Sequence, residues 1–288
     1  MKFLFKGYTL LIILVILSIL SLFIGVSQLS ITDLFHLSDN QKNILFSSRI
    51  PRTISILLSG SSLALAGLVM QQMMQNKFVS PTTAGTMEWA KLGILLSLIF
   101  FPKGHILIKL TFAVALSLGG TFLFVKLINF IKVKEVIFVP LLGIMIGGIV
   151  SSFTTFIALR TNALQSINNW LNGNFAVITS GRYEILYLAI PLLIIAYIFA
   201  NHFTIAGMGK DFSHNLGVKY EQIINIALLI TATLTALVVV TVGTLPFLGL
   251  IVPNIISMYR GDHLKNALPH TLMPVSYTHL TLPTILLV

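Results

Sequence analysis

The side chains able to do chemistry in this 288-residue chain are few and scattered. Its eight acidic residues stand singly along the sequence, so no paired carboxylates offer a general acid and base, and neither H-E-x-x-H nor G-x-S-x-G occurs. The seven histidines show no metal-ligand spacing, and His202 and His214 read as interfacial or solvated. Gly209 and Lys210 resemble the end of a phosphate-binding loop. Asp211 follows, however, where Ser or Thr is required, and Thr204 occupies the first glycine position, so that device is absent. With no cysteine, disulfides, thiolate metal sites and cysteine nucleophiles are excluded. No catalytic residue, metal ligand or cofactor bound by this chain is expected. What remains is Arg49 and Arg52, set on either side of Pro51 at the edge of an uncharged segment, and Glu88, three residues before Lys91. The arginines admit interfacial snorkelling or recognition of a partner. Glu88 admits a helix N-terminal carboxylate paired with Lys91, or a group on a substrate path.

The elements that must carry these residues are membrane spans. The chain is 56% hydrophobic and 9% charged, with a mean hydropathy of +0.96, against roughly 25% charged residues in soluble domains. Uncharged runs cover residues 8–32, 53–76, 92–102, 110–125, 136–159, 185–209 and 222–259. Each is long enough for a full or shortened helical span. Gly243, Pro246, Gly249 and Pro253 interrupt the last run, so it counts as two, which predicts an all-α, polytopic membrane bundle with about eight spans. The first run follows Lys2 and Lys6 but exceeds the length of a signal h-region and lacks an A-x-A-like exit, so it reads as a retained span. The net charge of +10 does not point to nucleic acid, because the cations are spread singly, as membrane-flanking charges are.

With the N-terminus inside, the larger share of the 18 lysines and arginines falls inside, a weak positive-inside bias. Arg49 and Arg52 then face outward. Residues 71–91 and 201–221 form polar inside connections. Residues 160–184 lie outside and contain a short amphipathic helix around Leu164, Ile167, Trp170 and Leu171. Small residues such as Gly60, Ser61, Ala64 and Gly67, and Gly143 with Gly147, predict close helix crossings. The span centres hold no ionisable group of the kind that proton- or sodium-driven carriers keep at depth. The pathway is thus expected to be powered from outside the chain.

The run R-I-P-R-T-x(6)-G-x-x-L-A-L-A-G, from Arg49 to Gly67, resembles the second-span signature of the iron-siderophore and vitamin B12 type permeases of ABC importers, the FecCD-like family. Four further pieces fall in the same order: Q-x-x-x-x-N at Gln71 to Asn76 with Pro81 and Gly85, W-L-x-G at Trp170 to Gly173, D-x-x-x-x-L-G at Asp211 to Gly217, and G-x-x-x-F-x-G-L-I-V-P at Gly243 to Pro253. The resemblance covers roughly residues 1–273. It implies a permease that pairs with a second permease subunit, identical or paralogous, around a central path, with ten helices per subunit. It also implies a substrate-binding lipoprotein outside and a cytoplasmic ATPase dimer that holds the ATP and magnesium. In that family the paired arginines meet carboxylates of the binding protein, a role carried here to Arg49 and Arg52. The inside loop resembles the ATPase-coupling segment, which assigns that contact to Asp211, Phe212, Leu216 and Gly217. The region around Asn76, Pro81 and Glu88 resembles the inner gate and path.

The segment G-T-M-E-W-A-K-L-G at Gly85 to Gly93 is similar to the version found in Gram-positive and vibrio-type ferric siderophore permeases. A ferric siderophore, of catecholate type, is therefore expected as substrate, imported across the bacterial cytoplasmic membrane. Vitamin B12 or haem is the alternative, and a secondary transporter is a third reading. Asn254 departs from the family, which usually has His there. The stretch PVSYTHLTLPTILLV, residues 274–288, resembles translated sequencing adapter. It is expected to be a non-native tail on a permease domain of residues 1–273 that lacks two family spans and transports poorly.

Overall fold

The computed structural model describes residues 7–23, 38–131, 137–261, 263–268 and 270. Within them every uncharged run contains a helix: α1 (Gly7–Phe23), α3 (Ile50–Met73), α4 (Thr86–Phe100), α5 (Ile106–Ile131), α6 (Phe138–Arg160), α8 (Ala189–Ile198), α11 (Tyr220–Thr241) and α12 (Leu248–Arg260). Short helices α2 (Asp39–Ile44), α7 (Leu164–Leu171), α9 (Ala200–Ala206) and α10 (Lys210–Asn215) join them. Four helical stretches among the described residues are long and apolar enough to cross a membrane: Asp39–Met73, Ile106–Ile131, Phe138–Arg160 and Tyr220–Thr241. A fifth is added if Tyr183–Ile198 and Ala200–Ala206, bent by 59°, make one span. The other apolar helices, α1, α4 and α12, are shorter among the described residues, where four or five stretches, set against about eight expected spans, reach full crossing length. Lys2, Lys6, Lys132, Lys134 and the 273/274 boundary lie outside the described residues.

The centre of the bundle is α3 and α11, whose apolar windows are 78% and 72% buried. α6, at 28%, shows Ile144, Met145, Ile149 and Phe153 on its outer surface, as a helix facing lipid or another membrane subunit does. Glycine sets the closest crossing. A methyl group at Gly67 of α3 would lie 1.7 Å from the Gly249 carbonyl oxygen of α12. Pro253 has no N–H to offer that carbonyl from within its own helix, so the oxygen rests on the glycine backbone of α3. Hydroxyls complete the packing: Ser117 Oγ donates across from α5 to the Ala232 carbonyl of α11 at 3.2 Å, and Thr86 and Thr121 oxygens meet at 2.8 Å. Thr231 and Thr235 return their protons to carbonyls one turn back, so no hydroxyl of α11 is left unsatisfied there.

Candidate functional site

At one end of the bundle the Arg49 region is built by a proline. Ser38 opens α2 with a capping box to Gln41, and the helix then widens into a π turn over Leu45–Arg49 before α3. Pro51, near the α3 N-terminus, donates no backbone hydrogen bond, which frees the Ser47 carbonyl. The N–H of Ser180, in the connection before α8, donates to it at 3.2 Å. Arg49 is only 7% exposed, and its Nη1 donates to the Leu22 carbonyl of α1, 2.6 Å away. A hydrogen bond from a charged donor to a backbone carbonyl compensates the burial of the guanidinium. Arg52, one turn on, is half-buried, and its Nε is enclosed without a hydrogen-bond partner. The pair therefore does not form a uniform exposed lip. Arg49 is turned into the protein by the need to satisfy its charge at low dielectric, while Arg52 keeps unused donors.

The same end holds a feature whose role the sequence did not disclose. The indole of Trp170, on the short amphipathic helix α7, carries Arg182 at 4.3 Å from its centroid and Lys109 at 5.1 Å. Its Nε1 donates to the Val240 carbonyl of α11 at 2.9 Å. Lys109 also donates to the Gly104 carbonyl at 2.9 Å. Burial depresses the Arg182 pKa from its ordinary value. The aromatic face and carbonyl oxygens replace carboxylates as partners for these cations. α7 is further fixed by the Leu171 carbonyl, which accepts from both the N–H and Oγ1 of Thr244, each at 3.1 Å. The W-L-x-G motif marks this region, but a sequence motif does not show which cations will stack on its Trp.

At the opposite end, the connection between α3 and α4 is folded tightly onto α12. Asn76 and Pro81 are buried. Asn76 Oδ1 accepts from the Phe78 N–H at 2.9 Å, and Pro81 packs beside Gly249. Asn254 donates to the Lys77 carbonyl at 2.8 Å and to Leu250 at 2.9 Å. Lys77 Nζ reaches Ser257 Oγ at 3.3 Å. The departure at Asn254 thus has a structural use: its amide fastens the connection to α12.

Glu88 lies in the first turn of α4, which starts at Thr86. Its Oε1 pairs with Lys91 Nζ at 2.7 Å, while its Oε2 is buried without a partner. The pair with Lys91 in the first turn matches the reading of Glu88 as a helix N-terminal carboxylate.

The connection also touches the segment after α8. Gln75, held at φ +49°, donates to the Gly207 carbonyl at 2.8 Å. Beyond it, α10 carries Asp211 in its first turn and Phe212, 47% exposed; Leu216, 55% exposed, follows it. Gly217, at φ +71°, reverses the chain toward α11 in a conformation that other residues adopt at a cost. Asp211, Phe212, Leu216 and Gly217 are therefore brought together on one exposed turn. Asn76 and Pro81 lie behind it, linked to it by Gln75, whereas Glu88 points elsewhere, toward Gly147 of α6. Lys210 donates to Glu221 Oε1 at 3.0 Å and spans α10 and α11. Gln75, Lys210, Glu221 and Asn254 are the residues here that sequence reasoning left without a role.

A profile described as the FecCD transport family matches residues 12–278. The chain is 55% identical over 262 residues to the petrobactin import system permease protein YclN of Bacillus subtilis (strain 168), covering 91% of this chain and 83% of that protein. It is 40% identical to the petrobactin import system permease protein FatD of Bacillus anthracis, covering 90% and 75%. Identity is 36% to the ferric-anguibactin transport system permease protein FatD of Vibrio anguillarum, covering 86% and 79%. Among solved structures, a metal-chelate type ABC transporter in an inward-facing conformation superposes with a TM-score of 0.81, covering 97% of this chain and 89% of that one. At 23% identity, that likeness shows the fold.

Proposed function

The chain belongs to the FecCD transport family, a multi-pass cell-membrane permease by its relatives and its apolar helices, and on that premise we propose that it is the permease subunit of an ATP-driven importer of a ferric siderophore, of catecholate type. The single observation that carries the substrate is the naming of its relatives at 55%, 40% and 36% identity for siderophores. A relative at 28% identity is named for molybdate, so the family's fold alone does not select the cargo.

In this reading a second permease copy or paralogue completes the path, a substrate-binding lipoprotein delivers the complex outside, and an ATPase dimer hydrolyses ATP with magnesium in the cytoplasm. Arg52, with its unused donors, meets a carboxylate of the binding protein, and Arg49 holds the turn that presents it. Phe212 and Leu216 supply the apolar contact to the ATPase, with Asp211 and Gly217 shaping their turn. Exposed aromatic and aliphatic side chains at a wet end of a membrane protein favour that role, because they leave apolar surface uncovered until a partner arrives. Asn76, Pro81 and Glu88 border the inner gate, and Gln75 passes motion between gate and coupling turn.

The test is uptake of iron-55-labelled catecholate siderophore in cells lacking their own permease and supplied with this chain, its ATPase and its binding protein. Uptake should stop on ATP depletion and persist with an uncoupler. The reverse pattern would establish a secondary transporter.

A further inference from the structure

At the coupling end, α5 and α11 leave between them an open groove of about 670 Å³. Val125 and Leu228 form apolar wall, while Lys126, Asn129, Lys210 and Glu221 form its polar part. The groove borders the lipid-facing surface: Phe122 and Leu123 on α5 and Leu229 on α11 are exposed apolar residues. Lys126 stands one turn beyond Phe122 in α5. It is exposed and makes no hydrogen bond or ion pair among the described residues. Lys210 reaches the same groove from α10, and its single bond to Glu221 leaves further ammonium donors for another acceptor.

We propose that this groove binds the headgroup of an anionic phospholipid of the inner leaflet, its phosphate held between Lys126 and Lys210 and its acyl chains against Val125 and Leu228. Charge complementarity and layering commit it to this occupant. Two lysines from separate elements line the same groove, and the wall beside them, Val125 and Leu228, is apolar. A soluble anion would use the lysines and gain nothing from that wall, whereas a phospholipid uses both. Because Lys210 opens α10, the bound headgroup would brace the coupling turn against α5, a function separate from the choice of cargo.

The experiment is native mass spectrometry of the purified full chain, titrated with phosphatidylglycerol, with phosphatidylcholine of the same acyl chains, or with inorganic phosphate. Each lysine near an anionic surface contributes roughly fivefold in affinity. Phosphatidylglycerol should bind at the lowest concentration, about fivefold more weakly in Lys126→Gln and about thirtyfold more weakly in Lys126→Gln/Lys210→Gln. Lys103→Gln, exposed at the opposite end, should leave binding unchanged. Equal binding of the two lipids, unaltered binding by Lys126→Gln, or full displacement by millimolar inorganic phosphate would each overturn the proposal. Should the double variant melt early, Lys126→Gln decides alone, since removing an exposed side chain with no partner among the described residues leaves the fold intact.

Discussion

The two ends of the bundle handle charge in opposite ways. At the Arg49 end, where Lys42 and Lys103 are exposed, three further cations are enclosed: Arg49 and Lys109 are each 7% exposed, and with Arg182 they are held by a carbonyl or an indole face rather than by carboxylates. At the Lys210 end, charge is at the surface. Lys210 and Glu221 side chains are 67% and 79% exposed, and apolar Phe212 and Leu216 stand out beside them. A buried cation must be satisfied on the spot, so its partners fix local structure. An exposed one is free to serve whatever docks. The same residue types therefore encode rigidity at one end and availability at the other, and substitutions should separate the two as changes in stability against changes in function.

The largest effect is expected where both ends are joined. Gly67→Ala places a methyl group 1.7 Å from a backbone oxygen of α12, and backbone cannot swing aside as a side chain can. Overpacking of this kind costs on the order of 3 kcal/mol, read as a lower melting temperature of the purified chain and loss of uptake together. A normal melting temperature would mean that α3 and α12 slide freely and that the ends are independent regions.

The contrast between neighbouring arginines is the next test. Arg49→Leu removes a charge-assisted hydrogen bond to the Leu22 carbonyl of α1 and should destabilise by about 2 kcal/mol. Arg52→Leu removes no hydrogen bond among the described residues; it should leave melting unchanged while weakening association with the binding protein in a pull-down at low salt. Equal destabilisation by both would dissolve the distinction between holding and presenting.

How much of this was legible beforehand follows from the kind of interaction. Span positions, the break in 222–259, the amphipathic helix at Leu164–Leu171 and the tight crossings were readable because hydropathy, periodicity and small-residue spacing are local signals. Five motifs in order gave the family. The start of α4 was legible from Glu88 and Lys91 as a first-turn carboxylate and its partner three residues on, although the uncharged run itself begins only at residue 92. The inward turn of Arg49 was missed, because its partner, the Leu22 carbonyl, is 27 residues away. Backbone acceptors leave no mark on sequence. Asn254 and Gln75 were opaque for the same reason: each is bonded to a carbonyl in a distant segment.

The smallest effect belongs to the most conspicuous ion pair. Lys210 is largely exposed, and its pKa is raised by the hydrogen bond and the charge of Glu221. A folded value above the unfolded one, near 10.4, means that the pair's contribution is complete below that pH and lost only as pH rises through the higher folded value. The melting temperature should therefore be flat from about pH 6 to pH 9, and Lys210→Gln should not move it across that interval, because exposed pairs contribute little. A melting temperature that falls in Lys210→Gln would show that α10 is anchored through this residue. The coupling turn would then share the built-in rigidity of the Arg49 end instead of waiting for a partner.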